Sequence, residues 1–90
     1  MKHNPVNNKK TQIAILKFCN VARSGQAVID AISNESEGRL RMFLTALSIA
    51  GYLQALGETR GRTYHTTHLG REHLEREEKR VGQWEEWGLE

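Results

Sequence analysis

The feature that most constrains this chain is a one-sided apolar stripe that stops at a glycine and gives way to a different period. Leu40, Phe43, Leu44, Leu47 and Ala50 fall on one side of a helix at about 100° per residue. Gly38, Arg41, Met42, Thr45 and Ile49 fall on the other side. Ser36 precedes the stripe as a capping residue, and Gly51 follows it as a natural stop. Together these signals predict a helix over residues 37–50. Beyond it, too few residues precede Gly57 for another helix, and residues 63–67 are rich in β-branched and aromatic types. Two short strands around the turn Thr59-Arg60-Gly61-Arg62 make a hairpin.

Two shorter helical patterns come first. Thr11 is a good N-cap, and Ile15, Leu16, Cys19 and Ala22 follow at helical spacing, with Ile13 and Phe18 widening the face. Ser24 caps a second helix over about residues 25–33, with Val28, Ile29 and Ile32 inside. Residues 33–38 hold no large apolar side chain and read as a turn. After the hairpin, Thr67 caps a last helix starting near His68. Leu74, Val81 and Trp84 mark its seam, and Gly82 weakens it. Residues 1–10 carry three Asn, three Lys and one Pro, and read as a flexible arm. The expected fold is therefore α+β: a three-helix core, a two-stranded hairpin and a C-terminal helix. The expected divisions are a flexible N-terminal arm (1–10), a folded domain (11–75) and a C-terminal helical extension (76–90).

Ninety residues suffice for one domain with a modest core. No apolar run is long enough to cross a bilayer and no signal-peptide pattern opens the chain, so a cytoplasmic location without a membrane partner is expected. The one cysteine, Cys19, sits among Ile15, Leu16 and Phe18 and reads as a small buried hydrophobe. There is no Gly-rich phosphate loop and no Ser-His-Asp set in a recognisable setting, so no enzyme and no cofactor are expected. His65, His68 and His73 lack a neighbouring cysteine and read as polar surface residues rather than metal ligands. Glu75, Glu77 and Glu78 read as a charged helix face. Charge is uneven. Residues 1–70 hold nine Lys or Arg against four Asp or Glu, giving +5. Residues 71–90 hold four against seven, giving −3, which together make the net +2. The first seventy residues suit a polyanionic partner and the tail does not.

The stretch Ala50-Gly51-Tyr52-Leu53 resembles the end of a winged-helix recognition helix entering its first wing strand. The following run, with Arg60-Gly61-Arg62, Tyr64, Thr66-Thr67, Gly70-Arg71 and Leu74, is similar to the passage from wing to last helix in MarR-like and PadR-like transcriptional regulators. The likeness spans about residues 11–75 by order of elements and is closest over 50–74. Three features depart from the pattern. Thr66 stands where these regulators usually carry a buried leucine. The turn over 33–38 is about a residue longer than the commonest helix-turn-helix spacing. The flanking dimer helices of the larger regulators have little counterpart here.

The resemblance implies a winged helix-turn-helix fold and a small transcriptional regulator of a prokaryote, phage or plasmid that binds double-stranded DNA in a sequence-specific way. The residues agree chemically. A helix fits the major groove, an arginine can grip guanine's two acceptors, and Thr or Met can touch a thymine methyl. Arg41, Met42 and Thr45 would meet bases, with Arg39 joining the DNA-binding surface at the flank, while Ser36 and Gly38 at the helix start would bring N–H groups to a phosphate. Arg60 and Arg62 at the hairpin tip would meet backbone phosphates or the minor groove, and His65, pointing outward on its strand, a phosphate. The plainer alternative for these side chains is a solvated helix face and a solubilising turn. Val81, Trp84 and Trp87 share a face and suggest a homodimer through the last helix, matching twofold operators. Two other functions compete: a protein–protein interaction module using the same surface, and a replication or recombination accessory factor that binds DNA.

Overall fold

The computed structural model describes residues 5–33, 35–58 and 61–86. They form an α+β fold of four helices and one three-stranded antiparallel sheet: α1 (Pro5–Phe18), β1 (Arg23–Ser24), α2 (Gly25–Ala31), α3 (Glu37–Ile49), β2 (Leu53–Leu56), β3 (Thr63–Thr66) and α4 (His68–Glu86). Among these residues, no helix is long and apolar enough to cross a membrane.

Local chemistry accounts for most of the boundaries. The Ser24 hydroxyl accepts from the Ala27 N–H and starts α2, and the Ser36 hydroxyl accepts from the Arg39 N–H and starts α3. α3 ends in a paired reverse turn. Gly51 adopts φ +87, its N–H donates to the Ser48 carbonyl, and the Tyr52 N–H donates to the Leu47 carbonyl. Only glycine takes that left-handed step without a Cβ penalty. Thr67 links the hairpin to α4: its hydroxyl donates to the Gly51 carbonyl at 2.6 Å and accepts from the Gly70 N–H at 3.0 Å.

The hairpin pairs Leu53 with Thr66 and Leu56 with Thr63. A third strand, not expected from the sequence, lies on its other side. β1 pairs Arg23 with Tyr64 and Ser24 with Thr63, so the sheet order is β1-β3-β2. Two residues are too few to leave a period in the sequence. The core joins Ile15, Leu16 and Cys19 of α1 and the turn after it, Val28 from α2 and Ile32 at its C-cap, Leu40, Phe43, Leu44 and Leu47 from α3, and Leu53 from β2. Ala22 and Ala50, expected inside, are exposed.

Three expectations need correction. The arm over 1–10 does not hold from Pro5 onward, because α1 begins there, with the proline at a first helical position that needs no N–H donor. Thr11 is consequently no cap but a buried residue within α1, and its hydroxyl donates to Glu35 Oε2 at 3.4 Å. The division at residue 75 falls inside α4, which runs through Gly82 unbroken and buries Glu77 and Val81.

β3 also closes the end of α1. The Leu16 carbonyl accepts from the Thr66 hydroxyl at 2.7 Å, and the Cys19 carbonyl accepts from the Thr66 N–H at 2.9 Å. The Phe18 carbonyl accepts from Arg23 Nε at 3.3 Å, and the Asn20 carbonyl lies 3.2 Å from His65 Nε2. Helix ends leave their last carbonyls without partners in the helix. Here one strand N–H and the side chains of Thr66, Arg23 and His65 supply them.

Candidate nucleic-acid interface

Burial of one side of α3 determines what the other side offers. Leu40, Phe43, Leu44 and Leu47 are fixed in the core. Gly38, Met42, Thr45 and Ile49, spaced by four, three and four residues, consequently form one solvent-facing strip. Met42 is 54% exposed and Ile49 82%. Solvent gives such side chains no stabilisation.

The arginines stand on opposite sides of that strip. Arg39, expected at the flank of the DNA-binding face, is drawn back. Its Nε lies 2.8 Å from Glu35 Oε1, and its guanidinium sits 5.5 Å from the centre of the Phe43 ring. Arg41 pairs with Glu37 at 3.1 Å, but both partners are more than half exposed. A surface pair at this spacing contributes only about 0.3–0.5 kcal/mol, so it yields readily to a phosphate. Arg41 faces a polar groove of about 210 Å³ between α3, the start of α2 and the hairpin tip, lined also by Ser24, Gln26, Gly61, Arg62 and Tyr64. Arg62 is exposed, with Nε 3.4 Å from the Gly57 carbonyl. Arg60 lies outside the described residues. Gln26 and Tyr64 were not legible in the sequence as members of this groove. They belong to different elements, and nothing in their spacing relates them to Arg41.

His65 departs from its expected role. Its Nε2 is turned to the Asn20 carbonyl, which takes the ring to the end of α1 rather than leaving it free for a phosphate. The other two histidines go elsewhere: His68 pairs with Glu72 at 2.9 Å, and His73 stacks on Tyr52 with ring centres 4.1 Å apart. Burial holds the His73 pKa below 6.5, with Glu77 pulling the other way and Lys9, Arg76 and Arg80 adding to the depression.

Val81 is not available as a dimer contact. It is 7% exposed and lies where α4 meets α1, beside Ile13 and Ala14. Trp84 falls in the last turn of α4, and Trp87 lies outside the described residues.

Glu77, read as part of a charged face, is 4% exposed. Its Oε1 lies 3.4 Å from Lys9 Nζ, 3.8 Å from Arg80 Nη1 and 4.0 Å from His73 Nε2, while Oε2 is buried without a hydrogen bond. Spacing carried a signal here. Gly70, Leu74, Glu77 and Val81 recur at four, three and four residues, which places Glu77 on the inner seam of α4. Cys19 is fully buried, and burial pushes its thiol up to about 11, which is opposite to what a nucleophile needs.

Compared with known proteins, the chain matches no family model, and no curated protein shows significant sequence similarity to it.

Proposed function

We propose that the chain is a winged helix-turn-helix protein that binds double-stranded DNA and serves as a small transcriptional regulator of a prokaryote, phage or plasmid. α3 is the recognition helix in the major groove, and the β2–β3 hairpin is the wing on the backbone. The observation that carries this reading is the groove in which Arg41 of α3 and Arg62 of the hairpin converge, beside the solvent face of a helix whose back is buried. Two further features support it. The element order and the β1-β3-β2 sheet are compatible with a winged helix. The positive charge is concentrated in the first seventy residues. Dimerisation belongs to the same proposal, on a contact other than Val81, since two copies set two recognition helices about one DNA turn apart.

The test is titration of a fluorescent random duplex at low salt, followed by added salt. Affinity is expected to fall with a log–log slope of about −0.9 per phosphate engaged. Arg41→Ala together with Arg62→Ala is expected to weaken binding to all sequences alike and to flatten that slope by about one for each arginine removed. Absence of binding at low salt, or binding indifferent to salt, refutes the reading. Exposed Met42 and Ile49 favour the second reading, a protein-docking face, and unchanged DNA affinity in the double variant would support it.

A further inference from the structure

We infer that α3 selects its site through the C5-methyl groups of thymine, met by Met42 and Ile49, rather than through guanine met by its arginines; this rests on the DNA-binding reading above. The helix face that points directly outward contains no arginine. It is the strip Gly38, Met42, Thr45 and Ile49. Arg39 is tied to Glu35 and lies against Phe43 on one flank. Arg41 turns to the groove it shares with Arg62 on the other, which is the side of the backbone-contacting hairpin.

Guanine shows two acceptors in the major groove and needs a donor fork to read them, whereas thymine shows one acceptor and a methyl group. The strip offers two exposed apolar side chains, one hydroxyl from Thr45, and a glycine that lets the backbone approach closely. Its chemistry complements methyl groups. The polyanion is the occupant favoured by charge, since Arg41 flanks the strip and shares its groove with Arg62, and the first seventy residues sum to +5. Seven residues separate Met42 from Ile49, which is about 10 Å along the helix. That distance matches about three base-pair steps, so the two side chains reach thymines roughly that far apart on either strand.

The test starts from the duplex that the full chain selects out of a random DNA pool. The same duplex is then made with deoxyuridine in place of thymine, which removes the methyl groups and leaves base pairing intact. Affinity is expected to fall about fourfold for each methyl lost beneath Met42 or Ile49, and about sixteenfold for both. Met42→Ala with Ile49→Ala is expected to bind the thymine and deoxyuridine duplexes equally. Both side chains are exposed, so the fold is unaffected, and the circular dichroism of the variant checks that. Selective binding that is indifferent to deoxyuridine overturns the methyl inference and leaves DNA recognition standing. So does a deoxyuridine loss that persists in the double variant, because that loss then comes from duplex shape. Failure to bind any duplex at low salt overturns both.

Discussion

Replacing Thr66 with valine isolates one hydrogen bond at the junction of helix and sheet. Thr66 is fully buried, and its hydroxyl donates to the Leu16 carbonyl at 2.7 Å. The helix offers that carbonyl no substitute, because the Asn20 N–H four residues on donates instead to Lys17 at 3.2 Å. Valine keeps the volume and the β-branch, so no cavity opens. What is lost is the donor, and a buried acceptor left without one costs about 1–3 kcal/mol. For a domain of this size each kcal/mol lowers the midpoint by about 4–8 °C. The expected result is a fall in thermal midpoint of about 8–16 °C for a mid-range loss of about 2 kcal/mol. Urea unfolding followed by helix signal is expected to show a lower midpoint at unchanged slope. Thr66→Ser is the matched control: it keeps the hydroxyl, loses one methyl group, and is expected to cost about 0.5–1.5 kcal/mol. Leucine at this position loses the donor and also adds bulk. It is expected to be worse than valine, because overpacking costs about 1–3 kcal/mol more. A Thr66→Val protein as stable as the natural chain would refute the reasoning, and would mean that the Leu16 carbonyl does not depend on this hydroxyl.

Two further outcomes follow from the packing of α4. The same substitution is expected to have opposite signs at two glycines of this helix: Gly70→Ala places a Cβ into the Tyr52 carbonyl and 2.9 Å from Thr66 Cγ2, whereas Gly82→Ala meets nothing within 4 Å. Denaturant midpoints should show a loss of about 3 kcal/mol or more for the first and a gain of up to about 1 kcal/mol for the second, and equal effects would refute the close approach. Stability is also expected to depend on pH through His73, whose pKa is held below 6.5 in the fold. The unfolded chain then binds more protons between the two values, so the contribution is full above about pH 6.5 and lost as pH falls through the folded value. Urea midpoints at pH 8 and pH 5.5 should differ less in His73→Phe, which keeps the stack on Tyr52; an unchanged difference would assign the acid sensitivity elsewhere.

How much was legible in the chain can be traced residue by residue. Ser24 and Ser36 start helices, Gly51 ends one, and Leu40, Phe43, Leu44 and Leu47 face inward, all as expected. The hairpin and the start of α4 at His68 were legible for the same reason. A cap, a left-handed turn and a period of 3.6 or two are properties of neighbouring residues, so they survive without knowledge of what packs against them. On the candidate interface, the exposure of Met42, Thr45 and Ile49 followed from the inward stripe alone.

The remainder depended on which surfaces meet. Thr11 reads as a cap until Glu35, twenty-four residues on, takes its hydroxyl. Arg39 reads as a DNA-binding arginine at the flank until Glu35 and Phe43 hold it back. His65 reads as outward-facing until the end of α1 comes within reach. Val81 reads as a partner contact until α1 covers it, and Glu77 as solvated until Lys9 arrives from the same helix. Apart from Arg39, whose partners Glu35 and Phe43 are each only four residues away, each case involves a polar or boundary side chain whose free energy is decided by a partner on another element, because leaving a buried group unpaired costs more than any local preference supplies. By itself the sequence determined where the helices and the hairpin lie and which side of α3 faces outward, because those follow from backbone chemistry and apolar spacing. Tertiary structure alone decided which polar and boundary side chains of α1, β3 and α4 are covered, because their partners lie on other elements.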